Sequence, residues 1–255
     1  MSRILSAAGA LVDTIKINAV TRECRQGRAL WIKRRRPIAL PIMTCANRFF
    51  RLAGNPIQAL TELGVWQRWE VDCFLRLHGE KFHAFIDGPC AVAAEEVPGM
   101  TLSQHLRAGT LTSPMLAAAA RELRRAHESA CPIFRGPWSH GDPHAGNFVF
   151  HAAEDRARLI DFEVMHDPAL PAAVRHADDL LIFLQDLAGR VGAAQWLPHA
   201  HTFLGAYANP EVVARLREKL LVPSGLAARI WWAVRTTYLS PAELSRRISA
   251  LRESL

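Results

Sequence analysis

The spacing of apolar residues changes along the chain, and each spacing predicts a different kind of element. The segment Thr14–Arg36 is predicted to form strands, since Ile15 and Ile17 alternate with polar residues in the two-residue period of β-strands. Within this stretch, Arg25–Arg28 has the composition of a hairpin turn, and Ala29–Lys33 is an extended run. From Val65 to Gly79 the apolar residues recur every three or four positions, so a helix is predicted that ends at the glycine.

Helical spacing dominates the rest of the chain. Short strand-like runs at Phe82–Ile86 and Cys90–Ala93 complete the β-rich part. Helices are predicted at Leu102–Ala108 and Ser113–Ser129, and helical periodicity continues from Ala172 onward. Breaks in these patterns are predicted at a set of prolines, namely Pro37, Pro41, Pro198, Pro210 and Pro223. A β-rich first third followed by a helical remainder predicts an α+β protein of two lobes.

Composition indicates a globular chain without membrane spans. Half of the 255 residues are apolar, 22% are charged, and the mean hydropathy is close to zero. No run reaches the ~18 apolar residues that a spanning helix requires, and residues 1–12 lack a signal-peptide cleavage pattern. We therefore expect a cytoplasmic protein. Five cysteines without a Cys-x-x-Cys pair support neither a disulfide framework nor a zinc ribbon.

Positive charge is concentrated at one end of the chain. Residues 1–51 contain eleven lysines and arginines against two acidic residues, whereas the remaining residues are close to neutral. A basic end on a near-neutral body suggests an anionic partner, such as nucleotide phosphate, a membrane surface, an anionic glycolipid or nucleic acid. A solvated basic surface without a partner is the alternative.

The most informative segment runs from His140 to Asn147 and reads His-Gly-Asp-Pro-His-Ala-Gly-Asn. Its proline and two glycines exclude a helix, and the apolar run that follows predicts one strand of a hairpin whose second strand ends at Asp161. Such a hairpin brings Asp142, Asn147 and Asp161 together. Phosphoryl transfer uses this set of groups: an asparagine and one aspartate hold Mg²⁺, and the other aspartate orients the acceptor hydroxyl.

His140 and His144 also have the four-residue spacing of a zinc-binding pair on a helix. Pro143 lies between them and prevents the helix that would place both imidazoles on one face. We therefore expect His140 to brace the backbone and not to bind a metal.

The motif His-Gly-Asp-x-x-x-x-Asn around Asp142 and Asn147, followed by Asp-Phe-Glu at Asp161, resembles the catalytic and metal loops of the protein-kinase-like superfamily. The segment from Arg175 to Asp179 resembles the arginine and Asp-Leu pair that brace the catalytic loop in that family. The resemblance implies a two-lobed kinase-like fold with a small β-rich N-lobe (residues 1–97) and a mainly helical C-lobe (residues 98–255). It also implies ATP and Mg²⁺ as cofactors and no nucleic acid partner.

The same resemblance assigns roles to residues of the N-lobe. Trp31-Ile32-Lys33 resembles the end of the strand whose lysine contacts the nucleotide phosphates. Glu70 resembles the helix glutamate that pairs with this lysine, and Glu62 is the alternative. The segment that resembles the adenine-binding hinge contains Glu95, Glu96 and Val97.

Within the superfamily, the chain looks most similar to bacterial lipopolysaccharide core kinases, which phosphorylate Kdo or heptose. The resemblance implies a lipopolysaccharide sugar as the hydroxyl acceptor. Two departures from the family pattern stand out. No Gly-x-Gly-x-x-Gly precedes Lys33, which leaves a pseudokinase open, and Trp31 occupies a position that is small in protein kinases, which implies a remodelled nucleotide pocket. The alternatives are a pseudokinase that acts as a scaffold or nucleotide-binding module, and a kinase of a small soluble metabolite or a protein.

The segment between Lys33 and the Glu70 helix combines cations with apolar residues. Arg48, Phe49 and Phe50 lie on what the sequence predicts to be an inserted loop. This composition is typical of surfaces that dock on anionic lipid, which predicts peripheral association with the inner membrane. The alternative is that Phe49 and Phe50 pack beneath the first lobe.

Overall fold

A four-stranded antiparallel sheet opens the fold. The computed structural model describes residues 17–221, 225–226, 229–230, 232 and 239–255. The strands follow the order β1 (Asn18–Arg25), β2 (Arg28–Arg35), β5 (Ala91–Glu95) and β4 (Ala84–Ile86). The two residues that connect β1 to β2 both have positive φ, 53° and 77°, which is the geometry of a tight hairpin turn. The predicted hairpin is confirmed.

Strand β2 presents its functional side chains to the inner face of this sheet. Lys33 lies opposite Val92 of β5, and Trp31 lies opposite Ala94. Because side chains alternate along a strand, Trp31, Lys33 and Arg35 share this face. The opposite face carries Ile32 and its buried neighbours.

Helices make up most of the remaining described chain. We number them α1 (Ala39–Leu52), α2 (Leu63–His78), α3 (Leu102–Ala108), α4 (Ser113–His127), α5 (Ala172–Arg190), α6 (Ala193–Tyr207), α7 (Pro210–Lys219) and α8 (Pro241–Ser254). The predicted helices at residues 65–79, 102–108 and 113–129 are confirmed, with ends that shift by at most two residues.

Short strands connect the helical part to the first sheet. They are β3 (Ile57–Ala59), β6 (Met100–Thr101), β7 (Ala130–Cys131), β8 (Gly136–Pro137), β9 (Phe148–His151), β10 (Arg156–Leu159) and β11 (Val164–His166). Strands β9 and β10 form the predicted antiparallel hairpin, and β6 adds to its β9 edge. Strand β11 pairs with β3, so the chain just beyond the hairpin returns to the segment before α2.

The segment after β2 is not the predicted loop. Residues Ala39–Leu52 form helix α1, in which Pro41 occupies the first turn. Proline is tolerated there because the first N–H groups of a helix have no intrahelical partner. Phe49 and Phe50 are partly buried and each makes further contacts, which favours the packed alternative for these two rings.

A second proline also behaves differently from its prediction. Pro198 lies inside helix α6 and does not break it, whereas Pro210 begins α7 as a first-turn proline. Trp196, Ala200 and Phe203 of α6 are all buried. Their burial holds the helix together across the hydrogen bond that Pro198 removes. Pro223 lies outside the described residues.

The main hydrophobic core extends from the sheet into the helical part. It contains Trp66 and Phe74 of α2 together with Leu116 of α4 and Phe183 of α5. The architecture is the expected α+β arrangement of a small antiparallel sheet lobe and a larger helical part. The boundary after residue 97 stays a prediction. Among the described helices, none is long and apolar enough to cross a membrane.

Candidate active site

Asp179 on helix α5 shapes the loop that carries Asp142. Its carboxylate oxygens accept hydrogen bonds from the backbone N–H groups of His140 and Gly141, both at 2.8 Å. Gly141 has a φ of +88°, and a Cβ at this position would lie 3.1 Å from the Val164 side chain. The turn therefore favours glycine, and the buried carboxylate beneath it holds the loop in place.

His140 connects this loop to the strand that leads to Asp161. Its Nδ1 accepts the Asp142 N–H at 3.2 Å, so Nε2 carries the proton and donates to the Ile160 carbonyl oxygen at 3.2 Å. Burial lowers the pKa of His140, which keeps the imidazole neutral in this arrangement. The expectation that His140 braces the backbone agrees with this geometry. Among the described residues, no cluster of three histidine, cysteine or acidic side chains suits a metal ion.

Asn147 is held between the same two segments. Its side-chain Nδ2 donates to the Asp142 backbone carbonyl oxygen at 2.9 Å, and the backbone carbonyl oxygen of Asn147 accepts the Ile160 N–H at 2.9 Å. Because Nδ2 is engaged in this way, Oδ1 is the side-chain atom that can act as a ligand. The next residue after Ile160 is Asp161, so the two proposed metal ligands are tied together through the backbone.

Asp161 follows strand β10 with an unusual backbone conformation. Its φ is +70°, the left-handed region that non-glycine residues adopt at some energetic cost. This turn directs the carboxylate toward β2, where Oδ1 lies 2.5 Å from the Lys33 ammonium. Asp142 and Asp161 keep 42% and 38% of their side chains exposed, whereas Asp179 is fully buried. The first two carboxylates are therefore accessible to a substrate, and Asp179 is structural.

Lys33 lies among three carboxylates. Glu70 of helix α2 accepts from its ammonium at 2.6 Å, and Glu163 lies at 3.3 Å. Glu70 also accepts the Phe162 N–H at 3.3 Å, so it connects the sheet to the Asp161 segment. Glu62, the alternative partner from the sequence, stands just before the first residue of α2 and is exposed.

The charges of this cluster are strongly coupled. Burial alone would lower the pKa of Lys33, but the surrounding carboxylates raise it well above its usual range. Burial opposes ionisation of Asp161, yet the Lys33 ammonium outweighs it and holds the pKa of Asp161 below its usual range. Burial, reinforced by Asp161, raises the pKa of Glu163 to about 7. The Lys33 ammonium therefore favours the ionised form of Asp161, whereas Glu163 takes up a proton more readily than an ordinary glutamate.

Glu163 is a member of this cluster to which the motif comparison assigned no role. Besides its contact with Lys33, its carboxylate accepts a hydrogen bond from the buried Asn18 side chain at the start of β1. The sequence signal was the glutamate of Asp-Phe-Glu itself. Its neighbour Asn18 is 145 residues away in sequence, and the spacing of the motif carries no information about that contact.

A cavity of about 200 Å³ adjoins the Lys33 cluster. It lies between the first sheet, helix α2 and strand β9. Its apolar walls include Val20, Trp31, Ala94, Val97, Val149 and Ile160. Lys33, Glu70 and Asp161 border the same cavity, so its apolar part adjoins a charged part. This combination suits a planar base linked to phosphates.

Two of the three expected hinge residues line the cavity. Glu95 and Val97 border it. The structure does not bring the Glu96 side chain there, because its carboxylate forms an ion pair with Arg22 at 2.7 Å outside the cavity. The Glu96 backbone N–H is bonded to the Ala29 carbonyl oxygen at 2.9 Å.

Buried aromatic and imidazole side chains support Asp179 from below. His127 donates from Nε2 to Asp179 at 2.9 Å and accepts the Tyr207 hydroxyl at Nδ1, at 2.8 Å. The His127 ring stacks on that of His176 with 3.9 Å between centroids. Arg175 reaches the Ser139 hydroxyl and the Pro137 carbonyl oxygen, at 3.2 Å and 2.7 Å. The segment from Arg175 to Asp179 therefore braces the Asp142 loop, as the resemblance implied.

Distant structural likenesses accompany this geometry. The chain is similar to the Plasmodium vivax ethanolamine kinase Pv091845, with 11% identity over 97% of this chain and 84% of that one, and a TM-score of 0.49. It is similar to the spectinomycin phosphotransferase APH(9)-Ia, with 13% identity, coverages of 95% and 91%, and a TM-score of 0.47. It is also similar to the kinase domain of Mycobacterium tuberculosis PknI, with 19% identity, coverages of 93% and 90%, and a TM-score of 0.39. No family model and no curated protein sequence matches the chain.

Proposed function

We propose that this protein is an ATP-dependent phosphotransferase that transfers the γ-phosphoryl group to a hydroxyl. The observation that carries the proposal is that Asp161, whose segment is hydrogen-bonded to Asn147 and through it to Asp142, meets the Lys33–Glu70 ion pair at the edge of one apolar cavity. The two halves of this set come from the sheet lobe and the helical part. Their meeting is the arrangement that positions a nucleotide and an acceptor for phosphoryl transfer.

Each side chain has a defined task in this proposal. Lys33 binds the α- and β-phosphates, and Glu70 holds the ammonium in place from the side of α2. Asn147 Oδ1 and the Asp161 carboxylate hold Mg²⁺, which when bound neutralises charge on the phosphate oxygens. The exposed Asp142 carboxylate orients the acceptor hydroxyl and receives its proton. Glu95 and Val97 bind the adenine at the rim of the cavity.

The acceptor in this proposal is a sugar of the lipopolysaccharide core. The support is the motif resemblance together with the short interval between the hinge and the Asp142 loop. That interval, residues 98–139, contains only helices α3 and α4, the short strands β6, β7 and β8, and their connections. The pseudokinase alternative rests on the absence of Gly-x-Gly-x-x-Gly before Lys33, and residues 1–16 of that stretch lie outside the described residues.

The test measures ATP turnover with and without an extract of cell-envelope lipids. Asp142→Asn is expected to lower turnover by about two orders of magnitude while nucleotide still binds in calorimetry. Asp155→Asn is the matched control, because Asp155 is exposed at the β9–β10 turn and has a positive φ that asparagine also adopts. Unchanged turnover in Asp142→Asn removes this residue from the mechanism. Absence of nucleotide binding by the unmodified protein favours the scaffold alternative.

A further inference from the structure

We propose that the outward face of helix α1 docks on an anionic membrane surface beside the active-site cleft. The inference deepens the proposed function, since it makes the hydroxyl acceptor a lipid-anchored one. We define the α1 face by its exposed residues, which are Leu40, Pro41, Thr44, Cys45, Arg48, Arg51 and Leu52. At 3.6 residues per turn they fall within an arc of about 140° on one side of the helix.

Large aliphatic side chains on and beside the α1 face are more than half exposed. Leu40 and Leu52 are 56% and 79% exposed, and Ile38, just before the helix, is 56% exposed. Leucines left in water at both ends of one 14-residue helix lie about 18 Å apart along its axis. A flat, extended target covers both ends at once, whereas a small pocketed ligand does not.

The charge around these leucines is mainly positive. Arg48 and Arg51 belong to the α1 face, and Arg34 and Arg36 are exposed where strand β2 leads into the helix. The sequence between Glu23 and Glu62 contains no acidic residue. Asp87 from the neighbouring sheet interacts with Arg34, so the excess of positive charge comes chiefly from Arg36, Arg48 and Arg51. Exposed aliphatic groups among these cations complement a surface that is apolar at depth and anionic at its boundary, which is a bilayer with acidic headgroups.

The α1 face is fixed relative to the cleft. Asn47, about 90° around the helix from the centre of the α1 face, clamps strand β3. Its side-chain amide accepts the Ala59 N–H at 2.7 Å and donates to the Ala59 carbonyl oxygen at 2.9 Å. Arg35 adds a second attachment through the Met43 sulfur and the Leu60 carbonyl oxygen, at 2.8 Å and 2.9 Å.

Strand β3 in turn joins α1 to the catalytic groups. It pairs with β11, whose first residue Val164 follows Glu163 directly. A Cβ at Gly141 would lie 3.7 Å from the Ile57 side chain of β3, so this strand borders the loop that carries Asp142. A membrane that holds the α1 face is therefore connected to the loop that carries Asp142 through one helix and one strand.

The test is sedimentation with vesicles at low salt. Phosphatidylcholine vesicles with about one third phosphatidylglycerol are compared with phosphatidylcholine alone, without nucleotide. The variant Arg48→Glu/Leu52→Ser changes only exposed residues of α1. The matched control Arg217→Glu/Leu221→Ser makes the same charge and side-chain changes at exposed positions in and just beyond α7. We expect the unmodified protein and the control to bind the anionic vesicles, and the α1 variant to bind about tenfold more weakly or worse.

Three results would overturn the proposal. They are wild-type protein that stays in the supernatant, an α1 variant that binds like wild type, and a control that loses binding equally. ADP binding measured on the same samples keeps this test separate from the proposed function. Normal ADP affinity without vesicle binding rejects the docking surface and leaves the phosphotransferase proposal standing. If the protein binds vesicles through the α1 face but does not bind ADP, the phosphotransferase proposal is rejected and the docking surface stands.

Discussion

At the scale of single residues, two nearby glutamates offer a direct test of the Lys33 assignment. Glu70 accepts from the Lys33 ammonium at 2.6 Å, whereas Glu62 is exposed at the start of the same helix. Glu70→Gln removes the charge that holds the ammonium, so catalytic efficiency with ATP is expected to fall by about tenfold or more. Glu62→Gln is expected to leave it unchanged. Steady-state kinetics on both variants checks this, and equal effects would reject the pairing.

His78 predicts a dependence of stability on pH. Burial lowers its pKa to about 4, and its Nε2 donates to the Leu159 carbonyl oxygen at 2.7 Å. A depressed histidine pKa means that the unfolded chain binds the proton more readily. Stability is therefore complete above pH ~6.5 and falls as the pH drops toward 4, by about 2 kcal/mol at pH 5. His78→Gln is expected to reduce the loss of thermal stability between pH 7 and pH 5, and an unchanged loss would contradict this role.

The sequence predicted the residues of the candidate site unevenly. Asp142, Asn147 and Asp161 lie on one hairpin, so their spacing along the chain was enough to bring them together. Glu70 and Glu62 remained alternative partners of Lys33, because the sequence does not show which turn of α2 faces β2. The contact between Glu163 and Asn18 was missed, since the two residues are 145 positions apart and their contact leaves no periodicity in the sequence.

At the scale of elements, the approach of one backbone to another predicts a strong glycine requirement. Gly99 lies between β5 and β6 with a φ of +125°, and a Cβ there would lie 2.1 Å from the Phe150 carbonyl oxygen on β9. Gly99→Ala forces two backbones apart and is expected to destabilise the fold by about 3 kcal/mol or more. Gly205→Ala inside α6 meets nothing within 4 Å and is expected to stabilise by about 0.5 to 1 kcal/mol. Thermal unfolding of both variants gives opposite shifts, and a neutral Gly99→Ala would show that this contact relaxes.

Helices were predicted correctly where apolar residues recur with one regular spacing along the chain. Helix α2 has a regular stripe of buried residues on one side, and its position followed from that spacing alone. Helix α1 was missed because Pro37 and Pro41 were interpreted as the ends of a loop, although a proline in a first turn costs no hydrogen bond. Pro198 was misjudged for the opposite reason, since the packing of α6 compensates a hydrogen bond that is lost. Both errors depend on where the proline lies within its helix, and that position is known only once the ends of the helix are known.

At the scale of the whole molecule, the candidate active site is shared between the sheet lobe and the helical part. Lys33 belongs to the sheet, and Asp161 belongs to the segment that follows β10. Their ion pair at 2.5 Å is one of the contacts across the cleft. A ligand that engages both residues therefore adds its binding free energy to the stability of the two parts together.

Nucleotide and metal are consequently expected to raise the melting temperature in two separable steps. ATP alone stabilises the protein through the cavity and Lys33, and Mg²⁺ adds a further increment only where Asp161 and Asn147 hold it between the phosphates and the helical part. A tenfold gain in affinity from Mg²⁺ corresponds to about 1.4 kcal/mol of added stability. Thermal unfolding with ATP in Mg²⁺ or in chelator measures that increment. Asp161→Ala is expected to abolish it, and Asp155→Ala, at an exposed turn, is expected to retain it. An equal Mg²⁺ increment in both variants would mean that Asp161 is not a metal ligand and that its carboxylate serves only to pair with Lys33.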